Sequence, residues 1–291
     1  MPGFRGGTEP LILVTNDDGI ESPGLVAAVR AVTGLGEVVV VAPTSQQTSR
    51  GRSMIGDFSD VLHETAVEGA RAYHINASPA LAVQHAMNTI FERRWPDLLV
   101  SGVNYGENLG LDITISGTVG AAFQAAAYAI PAIAASQQVD IAHHYEYGEV
   151  DWEGSTRVVR GYASRLIDAL ASLPPATALA GRDRLHEPRP FPFDVLKIDV
   201  PFSCPPGTPE RLSRLARRHY FVYRIDDPTD VSPIGAGSTR VDAHPGLIRA
   251  GDDIHTVAHE HAVAVTPLSV DFTAPLEESG RILGLVPRKN S

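Results

Sequence analysis

The sequence predicts an α/β protein in which a mostly parallel sheet carries helices on both faces. Three observations lead there. Strand-like and helix-like segments alternate through the first half of the chain, the pattern of parallel sheets built from strand–helix–strand units. The strand-like runs, such as Leu11-Ile12-Leu13-Val14 and Val38-Val39-Val40-Val41, are continuously apolar, as expected of strands covered on both sides. Several of these runs stop abruptly at polar residues, which gathers polar side chains along one edge of the sheet.

"LILVTN" (11–16) is the first strand. Pro23 suits a first helical turn, and Leu25, Val26, Val29 and Val32 give the helix that follows one buried face. "EVVVVAP" (37–43) is the second strand, followed by the polar loop "TSQQTSRGRS" (44–53). "RAYHINA" (71–77) alternates more weakly and reads as a third strand. A helix covers 79–93, with Ala82, Val83, Ala86, Met87 and Ile90 on one stripe. "PDLLVSGVN" (96–104) is a strand that leads into a glycine-rich loop ending at Gly117. "TVGAAFQAAAYA" (118–129) is a helix of small residues able to pack close to a sheet, and "IPAIAAS" (130–136) is a short strand. From 155 on, Val158, Val159, Tyr162, Leu166, Ile167, Leu170 and Leu173 mark a long amphipathic helix with Ser155 or Thr156 near its N-cap. The Pro- and Arg-rich stretch 174–193 reads as loop, and "FDVLKIDVP" (193–201) as strand. Residues 211–226 suit a helix or a ribbon equally, and 227–253 reads as a long loop. "EHAVAVTPLSVDFT" (260–273) is a strand with its exit, and 274–291 a polar arm or tail. The expected organisation is a core over 1–203 with a C-terminal extension over 204–291 that completes a single domain.

Composition narrows the function. A net charge of −10 argues against non-specific attraction to nucleic acid or anionic lipid. Cys204 is alone, which excludes an internal disulfide and a cysteine-rich metal site. "MPGFRGGTEP" lacks the apolar core of a signal peptide, and no apolar run approaches the roughly 18 residues of a membrane span. The expectation is a cytoplasmic enzyme or binding protein with no nucleic-acid or membrane partner.

Three strand exits carry candidate chemistry: Asn16-Asp17-Asp18-Gly19, the hydroxyl and amide loop after Pro43, and Ser101, Asn104 and Asn108 within "SGVNYGENLGLD". Two carboxylates about 4 Å apart repel by roughly 4 kcal/mol at an effective dielectric of 20. A hard divalent cation caged by carboxylate, hydroxyl and amide oxygens would relieve that repulsion, and oxygen-only ligands suit Mg²⁺, Mn²⁺ or Ca²⁺ rather than zinc. A plain turn with helix-capping capacity is the alternative for the acidic pair. In "SGTVGAA" (116–122), Ser116, Gly117 and Thr118 open a helix whose free N–H groups suit a phosphate, with a simple N-cap as the alternative. His255, His259 and His261 do not form HExxH, and His143-His144 is equally bland. Arg214, Arg217 and Arg218 form a basic cluster, either a solvated face or a contact for a substrate phosphate. Neither a G-x-S-x-G elbow nor a G-x-G-x-x-G turn behind the first strand is present, which disfavours a serine hydrolase and a dinucleotide enzyme.

Taken in order, "ILVTNDDGI-SPGL", "VVVAP", "PDLLVSGVNYGENLG-D" and "SGTVGAA" resemble the SurE (survival protein E) family of metal-dependent nucleotidases and phosphatases, and the match extends to "VTPLSVDFT". The resemblance implies a Rossmann-like three-layer α/β/α core, a C-terminal extension that helps build homodimers or homotetramers, and a divalent cation, Mg²⁺ or Mn²⁺ (Ca²⁺ in a crystal). It implies hydrolysis of nucleoside monophosphates, at the 5′ or 3′ position, by cation-activated water. Carried over by position, the metal ligands are Asp17, Asp18, Thr48 and Asn104; Asp17, Asp18 and Asn104 are also the catalytic set. Thr48 stands where the family commonly has serine. Asn16, Ser116, Gly117 and Thr118 would line the phosphate pocket, with Asn108 supporting its loop. One block departs: "NASPALAVQ" (76–84) has Leu81 and Ala82 where the family carries Asp and Cys, which bears on substrate identity and leaves the metal ligands untouched. Other readings are a phosphatase of non-nucleotide esters, a Ca²⁺-dependent nucleoside N-glycosidase, and a metal- or nucleotide-binding homologue without hydrolysis. Covalent aspartyl-phosphate chemistry is disfavoured because Asn16 takes the place of the first Asp of a D-x-D motif.

Overall fold

The computed structural model describes residues 9–141, 147–173 and 189–283. Its centre is a nine-stranded sheet. The strands are β1 (Leu11–Thr15), β2 (Glu37–Pro43), β3 (His63–Val67), β4 (Ala70–Ile75), β5 (Leu98–Tyr105), β6 (Ala132–Gln137), β7 (Val195–Val200), β8 (Glu210–Leu212) and, after a separate hairpin, β11 (Val263–Leu268). Their order is β3-β4-β2-β1-β5-β6-β7-β11-β8. From β4 to β7 every neighbour is parallel; β3 at one edge and β11 beside β7 run antiparallel. The continuously apolar strands take the central places, because only there are both faces covered.

Helices α1 (Pro23–Val32) and α4 (Glu153–Ser172) cover one face. They enclose a core of Ile12, Val14, Val40, Val100, Val159 and Ile198. Helices α2 (Pro79–Asn88) and α3 (Gly117–Ala127) cover the other face, over Leu11, Leu13, Val39, Val41, Leu99 and Ala134. The fold is therefore the expected three-layer α/β/α arrangement. The chain leaves β1 toward β2 on one side and returns to β5 on the other, so the strand order switches between β1 and β5. Ligands of open α/β sheets bind at that crevice.

Several sequence expectations need correction. α4 starts at Glu153, with Asp151 Oδ1 accepting the Glu153 N–H at 2.9 Å, whereas Ser155 lies buried inside the first turn. α2 stops at Asn88, where the Thr89 hydroxyl turns back to the His85 carbonyl at 2.8 Å. Residues 211–226 are ribbon: the end of β8 and then β9 (Phe221–Arg224). The supposed loop 227–253 contains β10 (Ser238–Val241), antiparallel to β9. It is followed by the short helix α5 (Asp253–Ala258), and the C-terminal stretch opens with α6 (Leu276–Leu283). Residues 204–291 give β8 and β11 to the main sheet. His143, His144 and most of the 174–193 stretch lie outside the described residues.

Candidate active site

The register Thr15↔Ser101 sets the exits of β1 and β5 side by side. Asn16 is fully buried; its Nδ2 donates to the Gly19 carbonyl at 3.0 Å and its Oδ1 accepts the Gly19 N–H at 3.2 Å. Its amide thus closes the acidic turn. Gly19 has φ +103°, a conformation that favours glycine, and the backbone of Ser45 lies against it. The Asp17 carbonyl accepts the Gln47 N–H at 2.6 Å, which ties the loop after β2 to the acidic pair.

Both carboxylates are buried. Asp17 lies on the N-terminus of α3, where the N–H groups of Gly117 and Thr118 and the Thr118 hydroxyl face it. A Cβ on Gly117 would come within 2.6 Å of the Asp17 carboxylate, so glycine is what lets the helix end approach. The free amides of this helix end face Asp17. Ser116 accepts the Val119 N–H at 3.1 Å as the N-cap and borders the cleft. Asp18 accepts the Tyr105 N–H at 3.0 Å and the Gln46 amide at 3.4 Å, and its carbonyl accepts the Tyr147 hydroxyl at 2.5 Å. Burial pushes Asp17 up to about 6, against the pull of the Thr118 hydroxyl. Burial, with repulsion from Asp17, pushes Asp18 up to about 8.

Asn104 donates through Nδ2 to the Gly106 carbonyl at 2.6 Å, which leaves Oδ1 2.9 Å from the Thr118 hydroxyl. That hydroxyl has one proton and two acceptors, Asp17 and Asn104. Acceptor oxygens therefore outnumber donors at this point, and a cation suits the deficit. Thr48 is exposed on the rim of the same cleft. The structure thus brings Asp17, Asp18, Thr48, Asn104, Asn108 and Ser116 to one cleft of about 280 Å³. Among the described residues no group of three His, Cys, Asp or Glu converges on a metal position. A cation here would rest on two carboxylates completed by amide and hydroxyl oxygens, a donor set that fits Mg²⁺ or Mn²⁺ and not zinc.

Sequence reasoning missed the supports behind this cleft. Lys197 and Asp199, two apart on β7, are fully buried and paired, and Asp253 lies 3.0 Å from the Lys197 Nζ. Asp199 accepts the Asn108 N–H at 2.8 Å and Lys197 donates to the Asn108 carbonyl at 2.9 Å, so this trio fixes Asn108 from both sides. Burial pushes Asp199 up to about 6. The signal was present as two charges in the otherwise apolar "VLKIDV". Asp112 accepts the N–H groups of Tyr220 and Phe221, both at 2.8 Å, and pairs with His219 at 2.7 Å. It thereby brings the β9–β10 hairpin to the cleft.

The remaining candidates lie elsewhere. Leu81 and Ala82 pack in α2 against the second core and do not border the cleft. Arg214, Arg217 and Arg218 border a separate cavity with Arg249. His255 pairs with Glu260 at 3.1 Å and His259 with the Ala243 carbonyl at 2.9 Å.

Comparison with known proteins gives one consistent answer. The family described as Survival protein SurE matches residues 12–221. A protein of Methanocella arvoryzae named 5′-nucleotidase SurE is 39% identical over 268 residues, covering 90% of this chain and 93% of its own length. The 5′-nucleotidase SurE of Thermococcus kodakarensis is 35% identical over 283 residues, covering 95% and 99%. The crystal structure of the SurE protein from Aquifex aeolicus superposes with a TM-score of 0.70 at 26% identity, covering 94% of this chain and all of that one. With the acidic pair at the sheet's switch point and matches that run nearly end to end, the chain belongs to the SurE family.

Proposed function

We propose that this protein is a divalent-cation-dependent phosphomonoesterase that removes phosphate from nucleoside monophosphates. The observation that carries this reading is the convergence of Asp17, Asp18, Asn104 and Thr48 on one cleft at the switch point of the sheet. Curated relatives named 5′-nucleotidase support the substrate class. A bound Mg²⁺ or Mn²⁺ would supply Lewis-acid polarisation of the phosphoryl group and a lowered pKa for attacking water. Asp17, Asp18, Asn104 and Thr48 would hold that ion. Thr118 and the α3 N-terminus orient the Asp17 carboxylate. Asn108 and Ser116, which border the same cleft, would meet phosphoryl oxygens.

No helix among the described residues is long and apolar enough to cross a membrane. Exposed apolar side chains in the C-terminal half, including Val231, Ile234, Phe272 and Ile282, favour a homodimer or homotetramer. The test is phosphate release from AMP with Mg²⁺ or Mn²⁺ against the same protein in chelator. Release should require the ion, and Asp17→Asn should lower it about 100-fold or more. Equal release with and without chelator would reject the reading, and release of free base instead of phosphate would favour the N-glycosidase.

A further inference from the structure

The cleft is lined by two chemically different sets of residues: the oxygen cage around Asp17 and Asp18, and the apolar side chains of Ile115, Ile141, Phe221 and Tyr223. Phe221 and Tyr223 are two apart on β9 and so share a face, and Thr239, directly across on β10, joins them there. All three border the cleft.

The two aromatic rings are held still. Asp112 fixes the backbone of Phe221 at 2.8 Å. The Phe221 ring stands edge-on to the buried Tyr220, with centroids 4.8 Å apart and planes at 74°. The Tyr223 hydroxyl donates to the Ile234 carbonyl and accepts the Gly237 N–H at 3.0 Å. That hydroxyl is consumed inside the hairpin, so Tyr223 offers the cleft a ring and not a polar tip. The residue nevertheless stays about half exposed, at 49%. Rigid, solvent-facing aromatic surface beside a phosphate-handling cage is unfavourable to leave in water and favourable to cover with a flat ring.

Building on the phosphomonoesterase reading, we infer that the β9–β10 hairpin is a nucleobase-stacking platform, with Phe221 and Tyr223 as specificity-determining residues of this chain. Every base has a π-face, and with the Tyr223 hydroxyl turned into the hairpin the platform offers the cleft two rings and the Thr239 hydroxyl. The platform therefore distinguishes nucleotides from base-free phosphate esters more sharply than it distinguishes one base from another.

The experiment compares AMP, CMP, ribose 5-phosphate and glycerol phosphate with the metal-loaded wild-type enzyme and three variants. Stacking on an aromatic side chain corresponds to about 10-fold or more per ring. Wild-type kcat/KM should favour AMP over ribose 5-phosphate by at least that factor, with AMP and CMP closer to each other. Phe221→Ala and Tyr223→Ala should collapse the AMP to ribose 5-phosphate ratio, chiefly through a higher KM for AMP. Tyr223→Phe, which keeps the ring, should retain most of the ratio, and circular dichroism should confirm that all variants fold. A wild-type enzyme active on all four esters without preferring nucleotides, or alanine variants that keep the preference, overturns the inference and leaves the phosphomonoesterase reading intact. An enzyme inert to all four esters with its ion supplied overturns that reading and this inference together.

Discussion

At the scale of single residues, Asp17, Asp18 and Asn104 were legible because a buried strand cannot end in polar groups without compensation, and Thr48 only through the family resemblance. Asp17, Asp18, Asn104 and Thr48 are brought to one cleft. The contacts of Gly117 and Thr118 with Asp17 were not legible, since a helix N-terminus attracts a carboxylate of the same chain as readily as a phosphate. Thr118 makes its contribution through Asp17 and Asn104. Thr118→Val should therefore weaken Mn²⁺ binding by about 10- to 100-fold while the fold persists, as read by titration calorimetry. The acidic pair also sets a pH dependence. In the cation-free protein both carboxyls titrate above their ordinary 3.8, Asp17 at about 6 and Asp18 at about 8. The folded state then holds more protons than the unfolded one between those limits. Stability is fully present below pH 4 in this respect and is lost as pH rises through 6 and then 8. A bound cation replaces those protons. The rise in melting temperature produced by Mg²⁺ over chelator should thus be larger at pH 8.5 than at pH 5.5, measured by scanning calorimetry.

At the scale of elements, long and strongly patterned segments were readable and short ones were not. β2 has four consecutive valines and declares itself; β3, "HETAV", has four exposed residues at the sheet edge and gives no apolar signal. β9 and β10 are four residues each and pair only with one another, so their signal depends on a partner the local sequence does not contain. The helix α5 hides in a histidine-rich stretch, where Asp253 is buried to serve Lys197. This cross-element tie makes a sharp prediction. Lys197 sits between Asp199 and Asp253 with no exposure to water. Lys197→Met leaves two buried carboxylates without their counter-ion, which costs about 3–5 kcal/mol. The urea midpoint should fall accordingly. Because Lys197 and Asp199 grip both sides of the Asn108 backbone, whatever activity survives should show a raised KM for the phosphate ester.

At the scale of the whole molecule, the core can be read from the first 203 residues, yet the structure does not stop there. β7 is not an edge: β11 pairs antiparallel along it through Ala264↔Asp199 to Leu268↔Val195. Beyond it β8 pairs with β11 through Val263↔Glu210 to Val265↔Leu212. α5 adds Ile254 and Val257, which form a third core with Leu109 of the loop after β5 and with Tyr220 of the segment leading into the hairpin. A chain ending at residue 203 would retain every predicted metal ligand. It would also expose the ladder of β7, strip Leu109 of its apolar neighbours, and leave Lys197 with Asp199 but without Asp253. Each loss falls directly behind the loop that bears Asn104 and Asn108. We therefore expect the 1–203 fragment to lack a cooperative thermal transition and to be degraded rapidly by trypsin, with no recovery on adding Mn²⁺. The full chain should melt cooperatively and resist the protease. A fragment that melts as sharply as the full chain would mean that residues 204–291 are an appendage, and that the site needs only the strands from β1 to β7.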